Sequence, residues 1–354
     1  MYKRQEKRND SLSSIHYASL LDTLWSEPET ISEGTNQFVN WADLPAIAAH
    51  KGHLLSYALE KSADGTYTYD IKMKAKTSDS AVWSDSFLLH NDGTKSEHGF
   101  VSMIPADKER FFVSWLDGRH TSGDHNHHGG AGAMTLRAAY VNSSGEISEE
   151  LELDAKTCDC CQTSVAMSEE GPVVVYRDRT DDEIRDISIR RFKEGSWTAA
   201  RPIAKDHWKI AGCPVNGPKV ITKQHQMAIA WYTAANNKPQ VKLTFSKDNG
   251  DTFDEPLIID QDRTIGRVDL AFIDDQSVVM TWVASDEDQA TLLCAKVTKE
   301  GLIGTPFEVS NLDPSRASGF PQLEIFKNKA YFAWTEVLQG KTQVKTAYID
   351  LDNL

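Results

Sequence analysis

Two sets of side chains in this sequence could do chemistry. The first is soft. Cys158, Cys160 and Cys161 stand together in CDCCQT, Cys213 opens CPVNGP, and His90, His98, His120, His125, His127, His128 and His207 are scattered around them. Thiolate and imidazole suit copper(I) or zinc, so one expectation is copper or zinc held by Cys158, Cys160, Cys161, Cys213, His98 and His120. The spacing is not that of a paired CxxC site, and a disulfide from Cys213 to one of Cys158, Cys160 or Cys161 would account for the same residues. Both readings stay open. The histidine-rich run from His120 to Gly130 is too glycine-rich to pack as core, and tracts of that composition bind metals. Cys294 alternates as a buried strand residue in TLLCAKV and reads as inert.

The second set is rich in arginine and aspartate: Asp117-Gly118-Arg119, Arg177-Asp178-Arg179, Arg185, Arg267 and Arg316, with Tyr232 and Glu336. Guanidinium forks grip carboxylates with two parallel hydrogen bonds, so a small anionic ligand is one use for them. Salt bridges along a rim are the other. A formal charge of −14 over 354 residues argues against general nucleic-acid binding.

The elements that must position these groups repeat. CDCCQTSVAMSEEGPVVVYRDR reads as a β-hairpin, Thr163 to Met167 and Pro172 to Tyr176, by its β-branched content and glycine-containing turn. Related stretches run from Leu44 to Glu60, His98 to Gly118, Cys213 to Thr233, Gly266 to Ala284 and Ser318 to Glu336. The marker aromatics are Tyr57, Trp115, Tyr176, Trp231, Trp282 and Trp334, spaced by 58, 61, 55, 51 and 52 residues. A unit of that length without helical periodicity predicts an all-β, six-bladed β-propeller of four-stranded antiparallel blades. Ser246 to Phe253, SKDNGDTF, has the Ser-x-Asp-x-Gly-x-Thr-Phe pattern of an Asp box, with weaker echoes at Thr77 to Trp83 and Phe192 to Trp197. Its role is local: a carboxylate accepting turn amides, and a glycine supplying positive φ.

Leu24 to Ile31 resembles the strand at Val82 to Leu89, so the N-terminal strand is expected to complete the C-terminal blade and remove two open edges. The domain then spans 22–354, preceded by a disordered tail, 1–21. Within a blade, the loop entering strand one and the loop joining strands two and three share one face. That face collects seven of the eleven histidines and four of the five cysteines. It also takes Asp43, Glu97, Asp117, Arg119, Arg177, Asp178, Arg179, Asn216, Tyr232, Arg267, Asp269, Arg316 and Glu336. His50, His53 and His225 fall on the other face, and His16 in the tail.

No apolar run is long enough to span a membrane, and no export signal is visible. Met1 to Gln5 can be encoded by ATG TAT AAG AGA CAG, which resembles a transposon-adapter end. On that reading residues 1–5 are artefactual and the signal is missing from this sequence. The expected location is extracytoplasmic, whether periplasmic, secreted or lipid-anchored, and the expected state a monomer.

Six blades with Asp boxes resemble the sialidase (neuraminidase) superfamily of BNR-repeat propellers. HGFV, WLDGR, CDCCQT and CPVNGP are similar to those of bacterial proteins called exo-α-sialidases. The resemblance implies a secreted glycosidase-like propeller that binds or hydrolyses a sialoside-like anionic glycan. Three arginines, drawn from Arg119, Arg177, Arg179 and Arg267, would grip the substrate carboxylate. Tyr232 activated by Glu336 would be the nucleophile, and Asp117 or Asp178 the acid/base. The pattern departs in two places. Asn40 to Pro45 lacks the arginine that opens the family's first repeat, and Tyr232 falls in the fourth repeat rather than near the end. Metal binding through the Cys/His cluster, without catalysis, is the alternative.

Overall fold

The computed structural model describes residues 12–21, 24–121, 132–286 and 288–354, with the backbone of 2–7. His125, His127 and His128 lie outside the described residues. The chain divides into two compact units, Met1–Asp159 and Cys160–Leu354. The division falls within the span that reads as one domain in the sequence.

In the first unit, one antiparallel sheet orders Ile47–His50, His53–Lys61, Tyr69–Lys76 and Phe87–Leu88, and the next orders His98–Pro105, Arg110–Asp117, Thr135–Asn142 and Ile147–Asp154. The Lys51-Gly52 turn between the first two strands has φ of 48° and 87°, the double positive φ that matches strand twist in a two-residue hairpin. The third strand, Tyr69–Lys76, alternates buried with half-buried residues, while the second, His53–Lys61, is almost wholly buried. Leu55, Ile71, Met73, Phe111, Val113 and Trp115 from the two sheets form one core. A strand with both faces covered needs an apolar run rather than an alternating pattern.

The second unit holds four more sheets in chain order. Ser164–Met167 and Pro172–Arg177 form the expected hairpin, with Met167 opposite Pro172. Ile187–Lys193 follows, flanked by the short strands Ser196–Trp197 and Arg201–Pro202. Lys219–Lys223, Gln226–Thr233, Gln240–Ser246 and Leu257–Gln261 make the next sheet, and Thr264–Phe272, Ser277–Ser285, Ala290–Thr298 and Gly301–Leu312 the fifth. The last has three strands, Gln322–Phe326, Lys329–Leu338 and Lys341–Asp350. Six such sheets in succession make the fold class a six-bladed β-propeller.

In two successive repeats of the second unit, the marker tryptophan bonds an aspartate 22 to 25 residues upstream. Trp231 Nε1 donates to Asp206 at 2.7 Å, and Trp282 Nε1 donates to Asp260 at 2.7 Å. The Ser246 to Phe253 turn is held by Asp248, which accepts from Thr252 N at 2.8 Å and from Thr252 Oγ1 at 2.6 Å, while Gly250 takes φ of 84°. These contacts are local, as expected of that turn.

The N-terminal segment differs from the expectation. Ser13–Ala18 forms a strand between Tyr2–Lys7 and Glu29–Gly34 in a separate three-stranded sheet, and Ile15 and His16 are buried. Leu24–Trp25 pairs with Leu20–Leu21 instead. Completion of the C-terminal blade by the N-terminal strand is not among the pairings of the described residues. The physical reason is that Ser13–Ala18 pairs with Glu29–Gly34 and satisfies that strand's edge, where a tail had been expected.

Candidate functional site

In the first unit, strand ends bring five ionisable side chains together. His90 and Asp92 follow the short strand Phe87–Leu88, His98 opens its strand, Asp117 closes the next, and Arg119 lies two residues beyond. The His90 and His98 rings stack face to face, 3.6 Å between centroids and 6° from parallel. One carboxylate bridges them: Asp92 Oδ1 lies 3.1 Å from His90 Nδ1, and Oδ2 lies 2.9 Å from His98 Nε2. The other His90 nitrogen accepts from Ile71 N at 3.4 Å, whereas the other His98 nitrogen faces the Tyr69 carbonyl at 3.3 Å. His90 therefore has the partners of a neutral ring and His98 those of a doubly protonated one. Burial pushes the His90 pKa down and the neighbouring His98 charge adds to that, against the pull of Asp92.

Arg119 supplies the fixed positive charge. Its Nε and Nη2 donate to the two oxygens of Asp117 at 2.8 Å each, the fork-on-carboxylate geometry. Asp117 also accepts from Trp115 Nε1 at 2.9 Å and is fully buried. Burial pushes both carboxyls up, yet their partners win and hold them below the usual range. For Asp92 those partners are His98, Thr94 and His90; for Asp117 they are Arg119, His98 and Trp115. The Asp117 hydrogen bond, against burial, raises the Arg119 pKa.

The same Arg119 reaches outward. Its Nη2 donates to Glu150 Oε1 at 3.0 Å, and Arg137 Nε donates to that same oxygen at 3.0 Å. Glu150 lines a cleft of about 230 Å³ with Leu88, Leu89, His90, Asn91, Ile147, Ser148 and Glu149. Glu149 sits beside it with φ of 55°, in the left-handed region, where the strand pairing shifts register.

In the second unit the arginines are turned inward. Arg177 is buried, and its guanidinium donates to Asn216 O at 3.0 and 2.8 Å, Tyr232 O at 2.7 Å and Arg185 O at 2.7 Å. It lies 4.8 Å from the Trp208 ring centroid. Arg267 is buried too; it donates to Ser318 Oγ at 2.6 Å, and burial lowers its pKa to about 10. Arg179 pairs with Glu183 at 2.8 Å, and Asp178 accepts from Ser188 Oγ at 2.9 Å. Tyr232 packs edge-on to Trp208, and burial raises its pKa although Arg177 pulls it down. Glu336 instead takes Gln343 and Lys345 as partners, and no hydrogen bond joins it to Tyr232 among the described residues.

Of the residues singled out in the sequence, His98, Asp117 and Arg119 come together in the first unit, and Arg177 meets the backbone of Tyr232 in the second. His120 is largely exposed beside Glu152, at 3.9 Å, whereas His98 is fully buried. Among the described residues, metal donors within 4.8 Å of one another form three groups: Cys158, Cys160 and Cys161, as the sequence suggested; Asp70, His90 and His98; and Asp92, His98 and Asp117, to which Arg119 already supplies a cation. The expected disulfide is corrected: no disulfide joins any of the cysteines, with Cys213 exposed, Cys160 half-buried, and Cys158 and Cys161 buried. A disulfide needs its two sulfurs about 2.05 Å apart, and no pair of these cysteines meets that. Asp92, Arg137 and Glu150 were missed. The one available signal was His90-Asn-Asp-Gly-Thr, an aspartate in a turn between two histidines of the same face.

No protein-family model matches the sequence, and no curated protein does. Among solved structures, the chain is similar to a protein of unknown function from Dyadobacter fermentans, at 9% identity over 89% of this chain and 97% of that one, TM-score 0.53. It is similar to a variant of NanB sialidase from Streptococcus pneumoniae, at 11% identity over 97% and 82% of the two chains, TM-score 0.51. An α-L-arabinofuranosidase variant from Fusarium graminearum matches at 11% identity over 88% and 92%, TM-score 0.53. At these identities the likeness is one of fold. No helix among the described residues is long and apolar enough to cross a membrane.

Proposed function

We propose that this chain binds or processes a glycan, and that an acidic sugar unit is recognised in the first unit, at the cleft beside His90. The observation that carries the reading is Glu150. Its carboxylate oxygen is gripped by Arg119 and Arg137 at 3.0 Å each, on the wall of a cleft. Two guanidiniums converging on one half-buried carboxylate form a carboxylate receptor occupied by an internal stand-in. A uronate or sialate carboxylate takes the place of Glu150, which turns out to solvent. His90, neutral and at the cleft wall, then packs beside the sugar, its ring fixed by Asp92 at Nδ1 and by the Ile71 N–H at Nε2.

Similar folds named sialidase and arabinofuranosidase support the glycan class. The reading moves anion recognition from Arg177, Arg179 and Arg267 to Arg119 and Arg137, because the former are spent on carbonyls, Glu183 and Ser318. An extracytoplasmic setting, where such glycans are met, belongs to the same proposal.

The test is calorimetric titration and product analysis with a panel of uronate, sialate and neutral oligosaccharides. Acidic members are expected to bind in preference. Glu150→Gln, which weakens the internal competitor, is expected to tighten them several-fold. A panel in which nothing binds, or in which Glu150→Gln leaves acidic and neutral members unchanged, would overturn the reading.

A further inference from the structure

Asp43 and Asn216 occupy the same place in two different repeats. Asp43 Oδ2 accepts from Phe100 N at 2.9 Å, and Asn216 Oδ1 accepts from Arg267 N at 2.9 Å. Phe100 and Arg267 both have positive φ, 53° and 55°, at a bulge in the first strand of the following sheet. The residue before each is glycine, and a Cβ there would meet Asp43 Oδ2 at 2.0 Å or Asn216 Oδ1 at 2.4 Å.

The two side chains differ in their second atom. Asn216 Nδ2 donates to the carbonyls of Pro214 and Ile265, at 3.3 and 3.2 Å. By position the counterparts of those carbonyls in the first unit are those of Trp41 and His98. Asp43 Oδ1, which stands where that amide stands, is buried without a hydrogen-bond partner. A carboxylate oxygen there would present charge to acceptors; a carboxylic O–H would donate as the amide does.

We infer that Asp43 is a protonated carboxylic acid in the folded protein, standing in for an amide and holding the Gly99-Phe100 bulge that carries His98. It acts as a positioning residue and goes beyond the proposed glycan reading, on which it does not depend. Burial, against the single Phe100 hydrogen bond, raises its pKa to about 7. The titratable groups facing it are Tyr57 on His53–Lys61 and Tyr69 on Tyr69–Lys76, with Glu97 behind Tyr69 and His98 on the bulged strand; the two tyrosines are raised well above their usual value, in part by Asp43. None of the groups that shift its pKa is a cation.

The sign follows from linkage. The folded pKa lies above the unfolded one, so the folded state holds the extra proton between pH about 4 and about 7. Its contribution is complete below that window, lost as pH rises through it, and constant above. Asn at 43 is free of this dependence. Urea unfolding of the full chain at pH 4.5 to 8.5 should therefore show the wild type losing ground to Asp43→Asn, by up to tenfold in unfolding constant per pH unit, with the gap level above about pH 7.5. Asp43→Ala, lacking both bonds, should be weaker than Asp43→Asn throughout. The wild-type minus Asp43→Asn infrared difference spectrum at pH 5.5 should contain a protonated-carboxyl stretch that disappears by pH 8.5. A gap independent of pH, an Asn variant no more stable than the Ala variant, one that does not fold, or absence of the carboxyl stretch would each overturn the inference.

Discussion

Arg177→Ala is expected to destabilise the second unit by roughly 3–9 kcal/mol, because three buried or half-buried carbonyls, those of Arg185, Asn216 and Tyr232, each lose a donor at about 1–3 kcal/mol. Against a total stability of about 5–15 kcal/mol, that is enough to unfold much of the protein at physiological temperature. The Trp208 face would lose its cation as well. Arg177→Met, which keeps the aliphatic stem on Trp208, is expected to recover only the packing part. Urea denaturation followed by tryptophan fluorescence measures both. A substrate-gripping arginine behaves otherwise: its alanine variant stays folded and binds ligand weakly. Finding that pattern would return Arg177 to the role that the sialidase resemblance implies.

Arg119→Ala is the second large effect, and its origin is charge. Asp117 is fully buried, and Arg119 is its bidentate partner. Removing one member of a buried pair costs about 3–5 kcal/mol, since the other charge is left uncompensated. Asp117 and Asp92 are both held below the usual carboxylate range in the wild type. They therefore contribute stability above pH about 4 that is lost as pH falls through their lowered values. In Arg119→Ala the Asp117 carboxyl is released upward, so the deficit should be largest near neutrality and shrink in acid as Asp117 takes up a proton. Arg119→Lys keeps the charge without the fork and should fall between the two. A deficit that does not change between pH 7 and pH 3.5 would show that packing, rather than the pair, accounts for it.

Much of the scaffold was legible because its signals are periodic. Marker aromatics spaced 51 to 61 residues apart gave the blade count, and five of the six markers, at 57, 115, 176, 231 and 282, are almost wholly buried. Strand-end topology gave the grouping of His98 with Asp117 and Arg119, since each opens, closes or follows a strand of one sheet. What escaped the sequence depends on partners that have no period. Whether a guanidinium faces solvent or carbonyls is decided by the local backbone around it, as where Val215, in the loop before Lys219–Lys223, and Arg267, at a bulge, take φ of 48° and 55°. Nothing in the residue types at those positions announces that geometry. The stretch Ser13–Ala18 is polar enough to read as a linker, yet as the middle strand of a sheet it buries Ser13, Ser14, Ile15 and His16. Ser14 and Thr30 hydroxyls satisfy the two nitrogens of His16, so a buried polar strand is stable there. Glu150 lies on the edge strand Ile147–Asp154, where charged residues ordinarily mark a solvated face, and Arg137 is the lone charge of the strand beside it, so neither announces a pair.

The central claim is that the first unit's stacked histidines stand beside the ligand. It is tested most directly by labelling the histidine rings with nitrogen-15 and titrating the protein with the acidic oligosaccharide that binds best. The account predicts saturable shifts of the His90 and His98 ring nitrogens, with His225 unmoved, and loss of both shifts when Arg137 is replaced by methionine. Saturable binding that leaves His90 and His98 unshifted would contradict it.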